Sequence, residues 1–387
     1  MRAFVNNKSS GSLIDMQDES QNRLMRKAIG GAFLTRNLLD YEPDVDTTLS
    51  ALIHRITDHP TFNLYQTLQF FQLDFLIKMA FSESPGHLAQ GRDVLGLAKQ
   101  GSLRIWHWYL WQPLPYLEQF IYHSPIWSRF ISRPTRWAKT GIERWEARKE
   151  ENKLEPKQPA KNDLLQKYIE VSEKYPDTIK PATVANLVNS TISAGGDTTA
   201  GTMATMIYFL LKNPSAYKKL QKELDDAAKS GVLSPEPRYS ELNTLPYLDA
   251  VMKETLRLNP PLASPLERVV PKGGAVLSGV PVPEGTVVGC TGRVVHLDTE
   301  VYGADSEAFR PERWLESGEG RNQGMERGYM PFGSGGRICL GRYVVELEIK
   351  RVVPGLMLGF EVSLILILFC FEGEGVLIGA SCERANL

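Results

Sequence analysis

One ten-residue segment constrains this chain more than any other, residues 332–341, which read Phe-Gly-Ser-Gly-Gly-Arg-Ile-Cys-Leu-Gly. It places a single cysteine, Cys339, in a glycine-rich loop before a stretch of helical periodicity at 340–350. Metals bind thiolates, and backbone amides, a helix N-terminus and a cation such as Arg337 all lower the pKa of a thiol. The segment therefore predicts that Cys339 is a metal ligand.

Other glycine-rich loops fit this segment poorly. A loop that cradles phosphate needs Lys followed by Ser or Thr after its glycines, and a dinucleotide-binding loop needs Gly at the position of Ile338. Neither residue is present. A structural cysteine in a glycine-rich turn is the alternative that the residues alone leave open.

The spacing Phe-x-x-Gly-x-Arg-x-Cys-x-Gly, at Phe332, Gly335, Arg337, Cys339 and Gly341, resembles the haem-binding loop of the cytochrome P450 superfamily. The resemblance implies that haem b is the cofactor and that Cys339 is the axial ligand of its iron. It also implies that Phe332 packs beside the sulfur, that Arg337 reaches a haem propionate, and that Gly341 belongs to the cofactor-binding loop. A thiolate ligand favours O–O cleavage, so the implied chemistry is oxygen insertion.

A long apolar segment, residues 184–213, predicts a helix that ends at an Asn-Pro pair. Two adjacent glycines in its middle should each cost about 1 kcal/mol relative to alanine. Two interpretations stay open. Asp197 caps a second helix that begins at Thr198, with the glycines permitting close helix packing. Alternatively, the helix opens locally against a flat ligand, and the acid beside a hydroxyl relays protons.

The same segment is similar to the central helix of the cytochrome P450 family, through Ala194, Gly195, Gly196, Asp197 and Thr198. By this resemblance, Thr198 forms a hydrogen bond to bound dioxygen. Asp197 then helps to deliver protons to it. Both residues are therefore predicted to be catalytic.

Charged residues downstream follow the order found in the family, with Glu-x-x-Arg at 254–257 and Pro-Glu-Arg-Trp at 311–314. Glu254 and Arg257 are three residues apart and share a helix face. An exposed pair of this kind contributes only about 0.3–0.5 kcal/mol. The resemblance implies more, namely a buried structural network of Glu254, Arg257 and Arg313.

Two arginines are candidates for binding the haem propionates. Arg26 lies in a segment that resembles the family's His/Trp-x-x-x-Arg helix, with Asn22 at the histidine or aromatic position. Arg268 follows the Glu-x-x-Arg helix. Solvated surface cations are the alternative for both. His296 is expected to be an ordinary histidine at the end of a strand.

The hydrophobic pattern predicts helices over residues 21–259, followed by short strands at 269–274, 276–282 and 286–290, where Gly and Pro separate β-branched residues. The fold class is therefore mainly α with a small β region, a cytochrome P450 fold incomplete at both ends. We expect a partial haem-thiolate domain over 1–354 and an atypical apolar tail over 355–387.

The resemblance places Met1 inside the family's domain, after its membrane anchor, first strands and first helices. Residues 352–371 are nearly all apolar, which predicts a buried helix or a borderline membrane-spanning one. We hypothesise a shortened gene model with a tail read through an intron. The family's location is the cytoplasmic face of the endoplasmic reticulum membrane, and a chain without an N-terminal anchor is expected to be cytoplasmic or peripheral.

Composition narrows the partners. A formal net charge of −1 gives no indication of nucleic-acid binding, and four irregularly spaced cysteines argue against a disulfide scaffold or a zinc site. Residues 103–130 are dense in aromatic side chains. These are expected to cover a hydrophobic substrate, to touch a membrane interface, or to form helix core.

The chain as a whole resembles fungal family members similar to pisatin demethylase and the oxygenases of secondary metabolism. This implies a monooxygenase that takes electrons from NADPH through NADPH–cytochrome P450 reductase and inserts one atom of O2 into a lipophilic small molecule. A truncated non-catalytic product is one alternative. A haem-thiolate isomerase or dehydratase is another, against which Thr198 argues because such enzymes need no proton relay. A fold does not fix the substrate.

Overall fold

The computed structural model describes residues 13–14, 16, 18–111, 113–122, 136–154, 161–316, 319–370 and 373–381. Helices dominate this part of the chain. They are α1 (Glu19–Ile29), α2 (Thr35–Leu38), α3 (Glu42–Asp58), α4 (Leu64–Phe81), α5 (His87–Gln90), α6 (Leu97–Trp111), α7 (Pro115–Tyr122), α8 (Arg136–Leu154), α9 (Leu164–Lys174), α10 (Val184–Lys212), α11 (Pro214–Lys229), α12 (Tyr239–Leu242), α13 (Pro246–Leu258), α14 (Gly292–His296), α15 (Thr299–Tyr302), α16 (Arg313–Glu316), α17 (Glu319–Gly328) and α18 (Arg342–Gly359).

The strands are fewer and mostly short. They are β1 (Thr61–Asn63), β2 (Leu266–Val269), β3 (Ala275–Leu277), β4 (Val280–Val282), β5 (Val287–Cys290), β6 (Glu361–Cys370) and β7 (Gly373–Ser381). They pair antiparallel as β1-β7-β6, β2-β5 and β3-β4. The predicted mainly helical class is confirmed.

The chain divides into two compact units. The first unit comprises residues 1–204, 224–242 and 340–387, and the second comprises 205–223 and 243–339, each within the described residues. Helix α4 is the centre of the first unit, because almost all of its 18 residues are buried. A helix that is apolar on every side is typical of a core position.

Helix α13 holds the equivalent position in the second unit, because most of its residues from Leu248 to Leu258 are buried. Its first turn begins at Pro246, which has no amide to leave unpaired. The carboxylate of Glu223 accepts hydrogen bonds from the next two amides, those of Tyr247 at 2.8 Å and Leu248 at 2.9 Å.

The predicted strands of the second unit needed correction. Strand β2 lies at 266–269 rather than 269–274, and it pairs with β5 over 287–290. The single strand predicted at 276–282 is a tight hairpin of β3 and β4. Ser278 and Gly279 both have positive φ, 48° and 80°. Such a pair reverses the chain in two residues and ends the strand that the β-branched pattern predicted.

The helix predicted at 352–371 was wrong beyond its first half. Helix α18 crosses Pro354 and ends at Gly359, and the chain continues as strand β6. Strand β6 pairs with β7, and β7 pairs with β1 near the start of α4. Backbone pairing between distant segments therefore overrides the helical interpretation. Among the described residues, no helix combines the length and apolar character needed to cross a membrane.

Candidate active site

Cys339 lies at the end of a loop whose backbone depends on glycine. Gly333 and Gly335 have φ of 72° and 65°, in the left-handed region that glycine adopts without strain. The Cys339 amide donates to the carbonyl oxygen of Phe332 at 2.9 Å, which closes the loop. The thiol is exposed and forms no disulfide. The loop therefore presents the sulfur to a ligand.

The other predicted cofactor-binding residues of the loop lie close to Cys339 in sequence. Phe332 and Arg337 are both partly exposed, and Leu266 lies 3.4 Å from the position that a Cβ of Gly333 would take. Gly341 is the N-cap of α18, which begins three residues after Cys339. The predicted helix after the cysteine therefore exists and continues well beyond residue 350.

The donor set fits haem rather than a metal ion held by the protein alone. Among the described residues, no group of three or more His, Cys, Asp or Glu side chains could hold a metal ion. A metal at Cys339 therefore needs a cofactor that supplies most of its ligands. A porphyrin would do so, with one protein thiolate completing the ligands of its iron.

Glu254, Arg257 and Arg313 meet in the interior of the second unit, all essentially inaccessible to water. Arg257 donates to both carboxylate oxygens of Glu254, each at 2.8 Å. Nε of Arg313 donates to Oε1 at 2.9 Å, and Nε1 of Trp314 donates to Oε2 at 3.0 Å. The Arg310 amide adds a bond to Oε1 at 2.9 Å. Every acceptor position of this carboxylate is thus used.

The two arginines also bind backbone carbonyls. Arg257 donates to the carbonyls of His296 at 2.7 Å and Ser306 at 2.6 Å. Arg313 donates to those of Tyr302 at 2.6 Å and Asp305 at 2.9 Å. The network therefore fixes the loops and short helices between residues 296 and 308.

His296 was misjudged from the sequence, because it ends helix α14 rather than a strand. Its side chain is fully buried. Its Nδ1 lies 2.9 Å from the Arg257 carbonyl oxygen, and its Nε2 accepts from the Met330 amide at 2.9 Å. Burial lowers the pKa of His296 to about 4, so the ring is neutral and bonds through both nitrogens. It connects the end of α13 to a residue two positions before Phe332, and no local sequence pattern marks this role.

Helix α10 is continuous through its two glycines, so neither a second helix capped by Asp197 nor a local opening is present. A Cβ on Gly195 would lie 3.0 Å from a methyl carbon of Leu76, and one on Gly196 would lie 3.2 Å from a methyl carbon of Leu73. The glycines face α4 rather than an open ligand surface. Close helix packing, the other part of the first interpretation, is confirmed.

The side chain of Asp197 projects from α10 and contacts polar residues of α4 in the first unit. Its Oδ1 accepts from Nε2 of Gln69 at 2.5 Å and from the hydroxyl of Tyr65 at 3.3 Å. A Cβ on Gly101 of α6 would collide with this carboxylate. Burial raises the pKa of Asp197, against the hydrogen bonds from Gln69 and Tyr65 and the positive charge of Arg104. The acid can therefore hold a proton closer to neutral pH.

Thr198 and Arg104 also lie near Asp197. The Thr198 hydroxyl donates to the Ala194 carbonyl at 2.8 Å, which leaves its oxygen lone pairs able to accept. Arg104 of α6 donates to the Ser193 carbonyl at 2.9 Å, one turn before Asp197. Gln69, Tyr65, Gly101 and Arg104 had not been selected from the sequence, because they become neighbours of Asp197 only through folding.

The two propionate candidates belong to different units. Arg26 lies in the last turn of α1 and is partly exposed, while Asn22 is buried and donates to the Leu13 carbonyl at 3.0 Å. Arg268 is exposed on β2 and donates to the Glu267 carbonyl at 2.8 Å.

The aromatic stretch at 103–130 is only partly covered by the described residues. Trp106, Tyr109, Tyr116 and Phe120 are exposed on α6 and α7, so these side chains do not form helix core. Trp127 and Phe130 lie outside the described residues.

An exposed thiol at the end of a glycine-shaped loop, within a mainly helical fold, is what a haem-thiolate protein requires. The family model for cytochrome P450 matches residues 2–366. The chain belongs to the cytochrome P450 family.

The chain is also similar to cytochrome P450 monooxygenases of fungi. It is 33% identical to the cytochrome P450 monooxygenase cicH of Emericella nidulans, over 93% of this chain and 73% of that protein. It is 34% identical to a cytochrome P450 monooxygenase of Aspergillus terreus, over 92% and 73%. The cytochrome P450 monooxygenase pkfB of Emericella nidulans is 33% identical, over 92% and 70%. The predicted class, a haem monooxygenase of fungal secondary metabolism, is confirmed.

Proposed function

We propose that Cys339 is the axial ligand of haem b, and that the loaded chain inserts one atom of O2 into a lipophilic small molecule. The observation that carries this proposal is the exposed, disulfide-free thiol on a loop whose turn requires Gly333 and Gly335. The bound haem supplies the one-electron and O2 chemistry, and the protein supplies binding, orientation and protons.

The residues that would hold the haem come mainly from the cysteine loop. Cys339 provides the sulfur, Phe332 an aromatic face beside it, and Gly341 the turn into α18. Arg337, partly exposed on the same loop, provides a cation for a propionate. Arg26 and Arg268, both accessible to solvent, are the further candidates for charge pairing with the carboxylates.

Asp197 and Thr198 would hold and move protons. Gln69 and Tyr65 fix the Asp197 carboxyl in one orientation, and burial favours its protonated form. The adjacent Thr198 hydroxyl donates to a backbone carbonyl, so its oxygen can accept a hydrogen bond, and rotation about its C–O bond would let it donate its proton instead. General acid catalysis of this kind typically contributes about 10²–10⁴-fold.

Electrons would come from NADPH through a flavoprotein reductase, as the family generally requires a redox partner. The location that accompanies this partner is the cytoplasmic face of the endoplasmic reticulum membrane. The apolar side chains exposed on α6 and α7 are consistent with a lipophilic substrate or a lipid surface.

Coexpression with a reductase under 18O2 tests the proposal. We expect products that carry one labelled oxygen, formed only when NADPH, reductase and O2 are all present. Cys339→Ser should abolish them, whereas Cys290→Ser, which removes a second exposed cysteine among the described residues, should not. Turnover without reductase and without label incorporation would instead identify an isomerase or dehydratase.

A further inference from the structure

A cavity of about 160 Å3 lies in the first unit, away from the cysteine loop in sequence. It is bounded by the end of α3, strand β1, the start of α4 and the segment after α5. None of its lining residues is acidic, whereas Arg55 and His59 are basic. At roughly 30 Å3 for each water molecule of liquid, the volume equals about five waters. That is enough for a tetrahedral oxyanion.

Arg55 is the main charge in this cavity. Its side chain is half-buried and forms no ion pair or hydrogen bond with any described residue. The guanidinium lies against Gly91, where φ is 61° and an added Cβ would be 2.5 Å from one guanidinium nitrogen. A guanidinium withdrawn from water without a partner is unfavourable. An anion in the cavity would remove this cost.

Thr67 provides an unpaired donor at the same place. It is only 8% exposed and lines the cavity, yet its hydroxyl forms no hydrogen bond with any described residue. Several threonines inside other helices of this chain donate one turn back, as Thr198 and Thr202 do at 2.8 Å each. The Thr67 hydroxyl is instead available to a ligand in the cavity.

The N-terminus of α4 adds a favourable potential. This helix has 18 residues, and the side chain of its N-cap, Asn63, accepts only from the Gln66 amide, at 2.9 Å. Amides in the first turn of a helix favour a negative charge. Leu88 of α5 also lines the cavity, and α5 is fixed to α4. The Asp74 carboxylate of α4 accepts hydrogen bonds from the His87 and Leu88 amides, at 2.9 Å each.

We propose that this cavity binds a tetrahedral oxyanion of the phosphate or sulfate class. Arg55 supplies the cation, the Thr67 hydroxyl supplies a buried donor, and the start of α4 supplies the helix potential. The anion would link α3, α4 and the segment after α5, and so stabilise the first unit. The site is independent of haem ligation by Cys339.

Thermal unfolding of the haem-loaded full chain tests this proposal. Phosphate and sulfate at millimolar concentration should raise Tm in a saturable way, whereas potassium chloride at equal ionic strength should not. Sulfate also stabilises proteins nonspecifically, so the decisive comparison is between variants. Arg55→Gln should lose the shift. Arg92→Gln removes an exposed neighbouring charge, whose guanidinium binds Gln90 at 2.8 Å, and should keep it.

Thr67→Val provides a second test if Arg55→Gln does not fold. Loss of one hydrogen bond to a charged ligand should weaken phosphate binding about ten-fold or more in titration calorimetry. A short-chain phosphatidic acid, used below its aggregation concentration, reports whether a lipid phosphate also enters. Binding of either ligand that depends on Arg55 supports the site. No saturable binding, or equal binding by wild type and both variants, overturns it.

Discussion

Two buried glutamates show how differently the two units treat a carboxylate that water does not reach. Glu254 in the second unit is surrounded by donors, chiefly Arg257 and Arg313. Glu348 in the first unit has Gln72 as its polar neighbour. Among the described residues, neither side chain forms a hydrogen bond of good geometry. The first carboxylate acts as a charged clamp. The second is expected to be neutral, because burial raises its pKa to about 8.

The difference follows from what each helix packs against. Helix α13 lies beside loops whose carbonyls the network arginines bind, so the charges are shared with the backbone. On α18, the nearby Arg351 pairs with Asp46 and Glu42 of α3 rather than with Glu348. Burial alone therefore does not tell whether a carboxylate is charged and stabilises the fold, or is neutral and destabilises the fold when it loses its proton.

The largest effect is expected from Glu254→Gln. It leaves the buried Arg257 without its counter-charge and Arg313 with only Asp305, 3.3 Å away, and breaking a buried pair in this way costs about 3–5 kcal/mol. Chemical denaturation measures the loss. Glu326→Gln is the matched control, because it removes an exposed partner of Lys253 in the same unit and should cost less than about 1 kcal/mol. A Glu254→Gln protein as stable as the control would break the comparison.

A smaller effect is expected from pH acting on Glu348. Its folded pKa of about 8 lies above the ordinary value of 4.5, so the folded state keeps a proton that the unfolded state releases. Its contribution to stability is complete below pH 4.5 and decreases as pH rises toward 8. Between pH 5 and 7 the loss should be about 2–3 kcal/mol, from 1.36 kcal/mol per pKa unit.

Glu348→Gln isolates that contribution. The variant should be more stable than wild type at pH 7, and the unfolding free energy of wild type relative to the variant should fall by about 2–3 kcal/mol between pH 5 and 7, as measured by denaturation at each pH. Glu173→Gln, an exposed acid on α9 of the same unit, should leave the slope unchanged. If Glu348→Gln keeps the wild-type slope, the carboxyl is not held neutral in the fold.

The smallest effect concerns Gly101, which allows α6 to approach the Asp197 carboxylate. Gly101→Ala should displace that carboxylate and destabilise the protein by about 1–2 kcal/mol, although alanine favours a helix by about 1 kcal/mol. Gly324→Ala on α17, where no atom lies within 4 Å of the new Cβ, should be neutral or stabilising. Turnover should fall only in Gly101→Ala. Equal behaviour of the two variants would contradict the assigned contact.

Local chemistry explains what the sequence could predict. The loop before Cys339 needs glycines at left-handed positions, and Glu254 and Arg257 share a helix face, so both features are visible as short patterns. The helical class and the long α10 follow from hydrophobic periodicity. Neither the second helix nor the local opening considered for α10 is present, because packing against Leu73 and Leu76 offsets the helix cost of its glycines.

Features that depend on residues far apart in the chain could not be predicted from short sequence patterns. The bond between Tyr65 and Asp197 joins residues 132 positions apart, and no local pattern indicates it. His296 connects Arg257 and Met330 through its two ring nitrogens. The apolar stretch that ends α18 becomes strand β6 because β7 and β1 are available for pairing. In each case tertiary contacts decide between local alternatives.

The central claim is that Cys339 binds haem iron as a thiolate, and the absorption spectrum of the reduced protein with carbon monoxide tests it most directly. Haem-loaded wild type and Cys290→Ser should both show the red-shifted band characteristic of thiolate-bound haem. Cys339→Ser should lose it while keeping the fold, as judged by circular dichroism. Folded, haem-loaded wild type without that band, or Cys339→Ser with it, would contradict the assignment.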